Sequence, residues 1–306
     1  MRLMTTALAA LLTSTACAPL PTLIAPVETR TPITFVQLLS RPRVPADQRI
    51  AYGSDALQFG ELWLPRGRGR HPVIVLIHGG CWRADLPGVE LMNYMAADLR
   101  DRGYAVWNME YRRVGNSGGG YPGTFRDIAA GLDHLRVLAP QHSLDLRRVA
   151  VSGHSAGGHL ALWAAGRDRL PAESPLYTDD PLPVRGVVSL AGIADLDAYR
   201  RTGPDACGGP STIDGLVGVQ QPDGRDVFAD TSPPALLPLG DRQVVISGAL
   251  DWIVPPRFGE DYAAAAAARG DPARSVVLEG AGHFEVIDPT STVWPRVVDA
   301  FADLLN

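Results

Sequence analysis

The chain has 306 residues, of which 46% are hydrophobic and 20% charged, and its formal net charge is −5. A chain of this size and balance can bury a large core within one domain. The mild acidity and the lack of a long basic run exclude nucleic acid as the main partner, since phosphate binding needs clustered Lys and Arg, and the pairs Arg112–Arg113 and Arg147–Arg148 are too short to read otherwise.

Residues 1–17 open with Arg2, continue with an apolar stretch from Leu3 to Leu12, and end in the small residues Thr13-Ser14-Thr15-Ala16 before Cys17. A basic start, an apolar stretch too short to span a bilayer, and small residues at a cleavage point read as an export signal. Residues 18–49, with Pro19, Pro21, Pro26, Pro32, Pro42 and Pro45, are expected to form a linker and an irregular lead-in. Residues 50–306 are expected to form a single domain. Within it, 57–64 reads as a strand, and Val73-Ile74-Val75-Leu76-Ile77 as a strand buried on both faces. Helical spacing follows over 88–102, with Leu91, Met95 and Leu99 on one side, then a strand over 104–109. Ile128, Leu132, Leu135 and Leu138 place one helix over 124–138. A short strand at 149–151 precedes a helix over 155–167; further strands are expected at 184–190, 244–247 and 275–278, and helices at 257–269 and 292–305. Strands alternating with helices imply an α/β class, with a mostly parallel central sheet and helices on both faces. The Gly- and Pro-rich stretch from 195 to 235 is expected to be a loop or lid over the site.

The strand at 149–151 runs into Gly153-His154-Ser155-Ala156-Gly157, a Gly-x-Ser-x-Gly pattern between a strand and a helix. In that setting the serine projects above the sheet at a helix N-terminus, where free N–H groups favour developing negative charge. A serine hydroxyl needs a base, and the base needs an acid to hold its tautomer. The chain order Ser, acid, His selects His283, in the loop after the last strand, and Asp251, in the loop after the strand at 244–247. His159 lies four residues along the nucleophile's own helix and so points away from the turn. Asp230 and Asp241 precede the strand that Asp251 follows, and the side chain of Glu285, close to His283 in the chain, is expected to point elsewhere. An ester transition state carries charge on the carbonyl oxygen, which fixed N–H donors must meet. The expected donors are the N–H of Ala156 and that of Gly80, with Cys81 as the alternative, in His78-Gly79-Gly80-Cys81-Trp82. His78 is expected to brace this loop, and Trp82 to wall the substrate pocket or pack in the core. Gly118-Gly119-Gly120 lacks the Lys-Ser/Thr ending of a phosphate-cradling loop. No Cys/His cluster has metal-site spacing. An exported protein can pair Cys81 with Cys207, but their spacing leaves this open.

His78-Gly79-Gly80-Cys81-Trp82 and Gly153-His154-Ser155-Ala156-Gly157-Gly158-His159 together resemble the α/β-hydrolase superfamily, in the branch of feruloyl/acetyl-esterase-like and kynurenine-formamidase-like serine hydrolases. Tyr111-Arg112-Arg113 and Gly118-Gly119-Gly120-Tyr121-Pro122-Gly123-Thr124 are similar to the first of these groups. Cys81 stands where hormone-sensitive-lipase-like enzymes carry a third glycine. The resemblance implies an α/β-hydrolase fold, with no metal and no organic cofactor. Separately, the Ala16–Cys17 junction resembles a bacterial lipoprotein site, at which Cys17 would be lipidated and attach the protein to a membrane. Ser14 departs from the aliphatic residue of that pattern, and ordinary cleavage near Ala16 is the alternative.

The function expected is hydrolysis of small or short-acyl carboxylic esters through an acyl-enzyme, by an exported enzyme that is periplasmic or attached to the cell envelope, or otherwise secreted. Amide cleavage, as by an arylformamidase or peptidase, is the alternative on the same residues. A non-catalytic binding protein on this fold is a further one, opposed by the complete Ser155, Asp251 and His283 set.

Overall fold

The computed structural model describes residues 31–219 and 224–306. The expected export signal and Cys17 lie outside the described residues. In chain order the elements are α1 (Phe35–Leu39), β1 (Gln48–Ala51), β2 (Phe59–Trp63), β3 (His71–Ile77), α2 (Asn93–Asp101), β4 (Ala105–Met109), α3 (Gly123–Asp133), α4 (Leu135–His142), β5 (Leu144–His154), α5 (Ala156–Ala165), β6 (Gly186–Leu190), α6 (Leu196–Thr202), α7 (Pro210–Val217), β7 (Arg242–Gly248), α8 (Arg257–Ala268), β8 (Ala273–Leu278) and α9 (Trp294–Leu305).

The strands form one eight-stranded sheet in the order β1-β2-β4-β3-β5-β6-β7-β8. Pairing is parallel from β4 to β8, and antiparallel only where β2 meets β1 and β4. The period-2 alternation of a strand sends Val73, Val75 and Ile77 of β3 into one core layer and Ile74 and Leu76 into the other. The first layer is covered by α3, α5 and α8, and the second by α2 and α9. All ten residues of α5 are buried, as expected of a helix that is apolar all round.

Several expectations are corrected. The lead-in before residue 50 contains α1 and the start of β1. β5 has 11 residues and begins at Leu144: Asp145, Arg147 and Arg148 interrupt its apolar run, yet Leu144 pairs with His71 and the Asp145 carboxylate accepts from Arg148. The helix expected over 124–138 is two helices that break at His134; one apolar stripe serves both, so periodicity reads them as one. The 195–235 segment is not a plain loop. α6 is capped by Asp195, whose side chain accepts from the Ala198 N–H at 3.0 Å, and α7 starts at Pro210 and is capped by Gly218 in the left-handed region.

Candidate active site

Residues at the C-terminal ends of the parallel strands build the site, where open α/β sheets place their ligands. β5 ends at His154, and Ser155 makes the turn into α5 with φ 55° and ψ −120°. A non-glycine residue held at positive φ is a strained position of the kind that concentrates at functional sites. The flanking glycines make the turn feasible by close approach. A Cβ on Gly153 would collide with the Gly157 carbonyl, and one on Gly157 with the Ile77 carbonyl.

The loops after β7 and β8 bring Asp251 and His283 together. His283 Nδ1 lies 2.7 Å from Asp251 Oδ2, and both residues are buried. Asp251 Oδ1 accepts the N–H groups of Ile253 at 2.8 Å and Val254 at 2.9 Å. With its oxygens so occupied, the carboxylate acts as acceptor and Nδ1 as donor, so that in the neutral ring the free lone pair is on Nε2. Ser155 and His283 line one cavity of about 150 Å³ together with Gly80 and Cys81. Its apolar wall comes from Phe35, Leu86, Leu91, Ile253 and Phe284.

Two N–H sources lie at or next to residues that line this cavity. Ala156 is the first residue of α5, so its N–H has no acceptor within the helix. Gly80, Cys81 and Trp82 follow β3 at φ 104°, 50° and 55°, and the Gly80 and Cys81 N–H groups meet no acceptor among the described residues. This unusual turn is held from several sides. His78 Nε2 lies 2.9 Å from Glu110 Oε1, its Nδ1 lies 2.7 Å from the Gly79 carbonyl, and its ring stacks on Tyr111. His78 therefore braces the loop. Burial alone would push the Glu110 carboxyl up, but His78, Arg113 and the Tyr111 N–H outweigh it and hold it down at about 2. Because this lies below the unfolded carboxylate value, the stabilisation is complete above that value and is lost as pH falls toward about 2.

Trp82 does not wall the pocket. Its side chain is fully buried beneath the turn, where Nε1 donates to the Ala156 carbonyl at 3.1 Å and the ring meets His159 edge-on. Trp82 thus ties the loop after β3 to the start of α5. His159 Nε2 bonds the Thr231 carbonyl at 2.8 Å, and burial pushes the imidazole down to about 4, so it is a neutral core residue and no base. Asp230 is taken up by Tyr121, Ser174 and Arg225.

Cys81 and Cys207 form a disulfide. It ties the loop after β3 to the stretch between α6 and α7, where Ala206 also lines the cavity. The bond closes a sequence separation of 126 residues; disulfides typically contribute roughly 2–4 kcal/mol, and long loops lie toward or above the upper end because more of the unfolded chain's freedom is removed. Replacing Cys207 by Ala should lower the urea midpoint by a corresponding amount under non-reducing conditions. An unchanged midpoint would mean that the two thiols are unpaired in solution.

Two residues at the site, His154 and Phe35, were not given a role from sequence. His154 is fully buried beside His283, ring centroids 4.6 Å apart, and its Nε2 donates to the His283 carbonyl at 2.8 Å. Burial and the nearby His283 hold its imidazole well below the ordinary histidine value, so it braces the loop as a neutral ring. The position inside the Gly-x-Ser-x-Gly motif was its only sequence signal. Phe35 carried none, because its place at the cavity depends on packing against Phe284, far along the chain.

The BD-FAE family profile matches residues 61–265. The chain belongs to the BD-FAE family. Esterase LipC of Mycobacterium tuberculosis is 28% identical over 284 residues, 87% of this chain and 66% of LipC. A 20-hydroxy-prefusarin hydrolase of Gibberella moniliformis is 34% identical over 137 residues, 40% of this chain and 31% of that protein. The chain thus spans less than two thirds of each relative's length. Among solved structures, esterase B from Lactobacillus Rhamnosis superposes with a TM-score of 0.72 at 23% identity, covering 89% of this chain and 88% of that one. A truncated carbohydrate esterase from gut microbiota gives 0.71 at 22% identity, covering 86% and 96%. These likenesses establish the α/β-hydrolase fold for this BD-FAE member.

Proposed function

We propose that the protein is a carboxylesterase that works through an acyl-enzyme. The observation that carries this reading is the meeting, in one cavity, of a serine on a strained strand-to-helix turn with a buried His283–Asp251 pair. Ser155 Oγ attacks the ester carbonyl while His283 Nε2 takes its proton, and Asp251 holds the imidazole in the tautomer that permits this. Negative charge gathers on the former carbonyl oxygen, and the N–H groups of Ala156 and of Gly80 or Cys81 receive it. The carbon–oxygen bond to the alcohol breaks as His283 returns the proton to the leaving oxygen. Water, deprotonated by His283, then attacks the acyl-Ser155 ester, releasing the acid and restoring the serine.

Two features support a small, uncharged ester over an amide. The cavity is small and mainly apolar, and no Asp, Glu, Lys or Arg lines it among the described residues. A peptide terminus or an amino-acid zwitterion would therefore enter without a partner for its charge, which is costly. Export from the cytoplasm is part of the same proposal, supported by the Cys81–Cys207 disulfide, since such bonds persist in oxidising compartments.

The test is turnover of p-nitrophenyl acetate, butyrate, octanoate and palmitate beside N-formylkynurenine. Activity greatest on the acetate or butyrate and negligible on the formamide is expected. Faster release of formate from N-formylkynurenine than of p-nitrophenol from any ester would replace this reading with a formamidase.

A further inference from the structure

The segment before β1 crosses the loop that carries His283. Glu285 joins the two: Oε1 accepts the Ile33 N–H at 2.6 Å and Oε2 accepts the Gly282 N–H at 2.8 Å. A Cβ on Gly282 would run into the Pro32 ring, so that ring lies directly against the Gly282 backbone. α1 follows at once, its start fixed by reciprocal bonds between Thr34 and Gln37. One side of α1 is anchored: Leu38 is fully buried, and just beyond the helix Arg41 pairs with Asp288 at 2.7 Å and accepts from the Tyr94 hydroxyl at 2.8 Å. The side nearer the site presents Phe35, which lines the cavity and packs against Phe284 with ring centroids 6.2 Å apart.

A helix of five residues does not hold itself in water, so its position depends on these anchors. The anchor on the His283 loop itself is Glu285. Phe35 is 40% exposed, so its ring borders solvent on one side and the cavity on the other.

We infer that residues 31–41 form a strap whose Phe35 sets the size limit for the apolar group of the substrate, and that Glu285 is the positioning residue that holds the strap on the His283 loop. This rests on the esterase reading of the cavity. Glu285 thereby links the segment that shapes the cavity to the loop that carries the base.

The experiment uses the full chain and two ester series: p-nitrophenyl esters from acetate to octanoate, and acetate esters from methyl to hexyl. The quantity read is the ratio of kcat/KM for the longest ester to that for the shortest. Phe35→Ala should raise this ratio about tenfold in one series, the scale on which pocket size discriminates between chain lengths. Phe35→Leu should give a smaller rise in the same series, and it decides the matter should the Ala variant fail to fold. Glu285→Gln, which cannot accept both N–H groups, should shift the ratio in the same direction. Combined with Phe35→Ala it should add little, because both changes open the same wall. A ratio unchanged in both series for the Phe35 variants overturns the strap's role. Additive shifts in the double variant overturn the role of Glu285. Absence of turnover of any ester by the unaltered protein is a different result: it removes the esterase reading, and this inference falls with it.

Discussion

Replacing Ser155 by Ala is expected to lower kcat/KM for p-nitrophenyl acetate by about 10⁶-fold, the scale seen when the nucleophile of a serine hydrolase is removed. The change deletes one oxygen and leaves the framework in place. The turn at φ 55° is imposed by the close approach of Gly153 and Gly157 to neighbouring carbonyls and by the Ser155 N–H bond to the Leu190 carbonyl at 2.9 Å, none of which needs the hydroxyl. The variant's urea midpoint should therefore match or slightly exceed that of the unaltered protein. Retention of more than a tenth of the activity would assign the nucleophile elsewhere and overturn the reading of this site.

Asp251→Asn is the second large effect, an expected fall in kcat of about 10⁴-fold. The Asp251 carboxylate accepts three donors: His283 Nδ1 and the N–H groups of Ile253 and Val254. An amide has one accepting oxygen. If that oxygen stays with the two backbone N–H groups, the amide nitrogen faces His283 Nδ1 and donates to it. The imidazole proton then moves to Nε2, where the base needs its lone pair. If the amide turns over, its nitrogen confronts two backbone donors at a buried position. Either arrangement disables the base, while the cavity wall that binds substrate is left alone. The loss should fall on kcat, with KM within a few-fold. Measuring both constants on p-nitrophenyl acetate tests this, and a loss of less than tenfold would show that another carboxylate orients His283.

How much of the site was readable follows from how local each signal is. Ser155 sits in a strand–turn–helix whose parts are adjacent in the chain, so the motif carries its own context. Asp251 and His283 lie about 100 and 130 residues further on, yet the chain order of this fold and their places just after apolar strands select them, and the structure joins them at 2.7 Å. Capping signals were present and passed over in the 195–235 stretch: Asp195 before α6, Pro210 at the start of α7 and Gly218 at its end. There the density of Gly and Pro masks the caps, so a helical region resembles a loop in sequence. The split at His134 had no comparable signal, since α3 and α4 share one apolar stripe.

The amino-acid pattern was enough for the strand and helix alternation, the parallel sheet and the choice of Ser155, His283 and Asp251 as candidates, because periodicity and motif spacing are properties of neighbouring residues. It did not decide whether Trp82 faces substrate or core, whether Cys81 finds Cys207, or that Glu285 turns toward Ile33. Each of these depends on which distant segments share space once the sheet has closed. Trp82 and Ala156 are 74 residues apart, Cys81 and Cys207 126, and Glu285 and Ile33 252. No local preference of the chain encodes contacts at such separations; packing of the whole domain selects them.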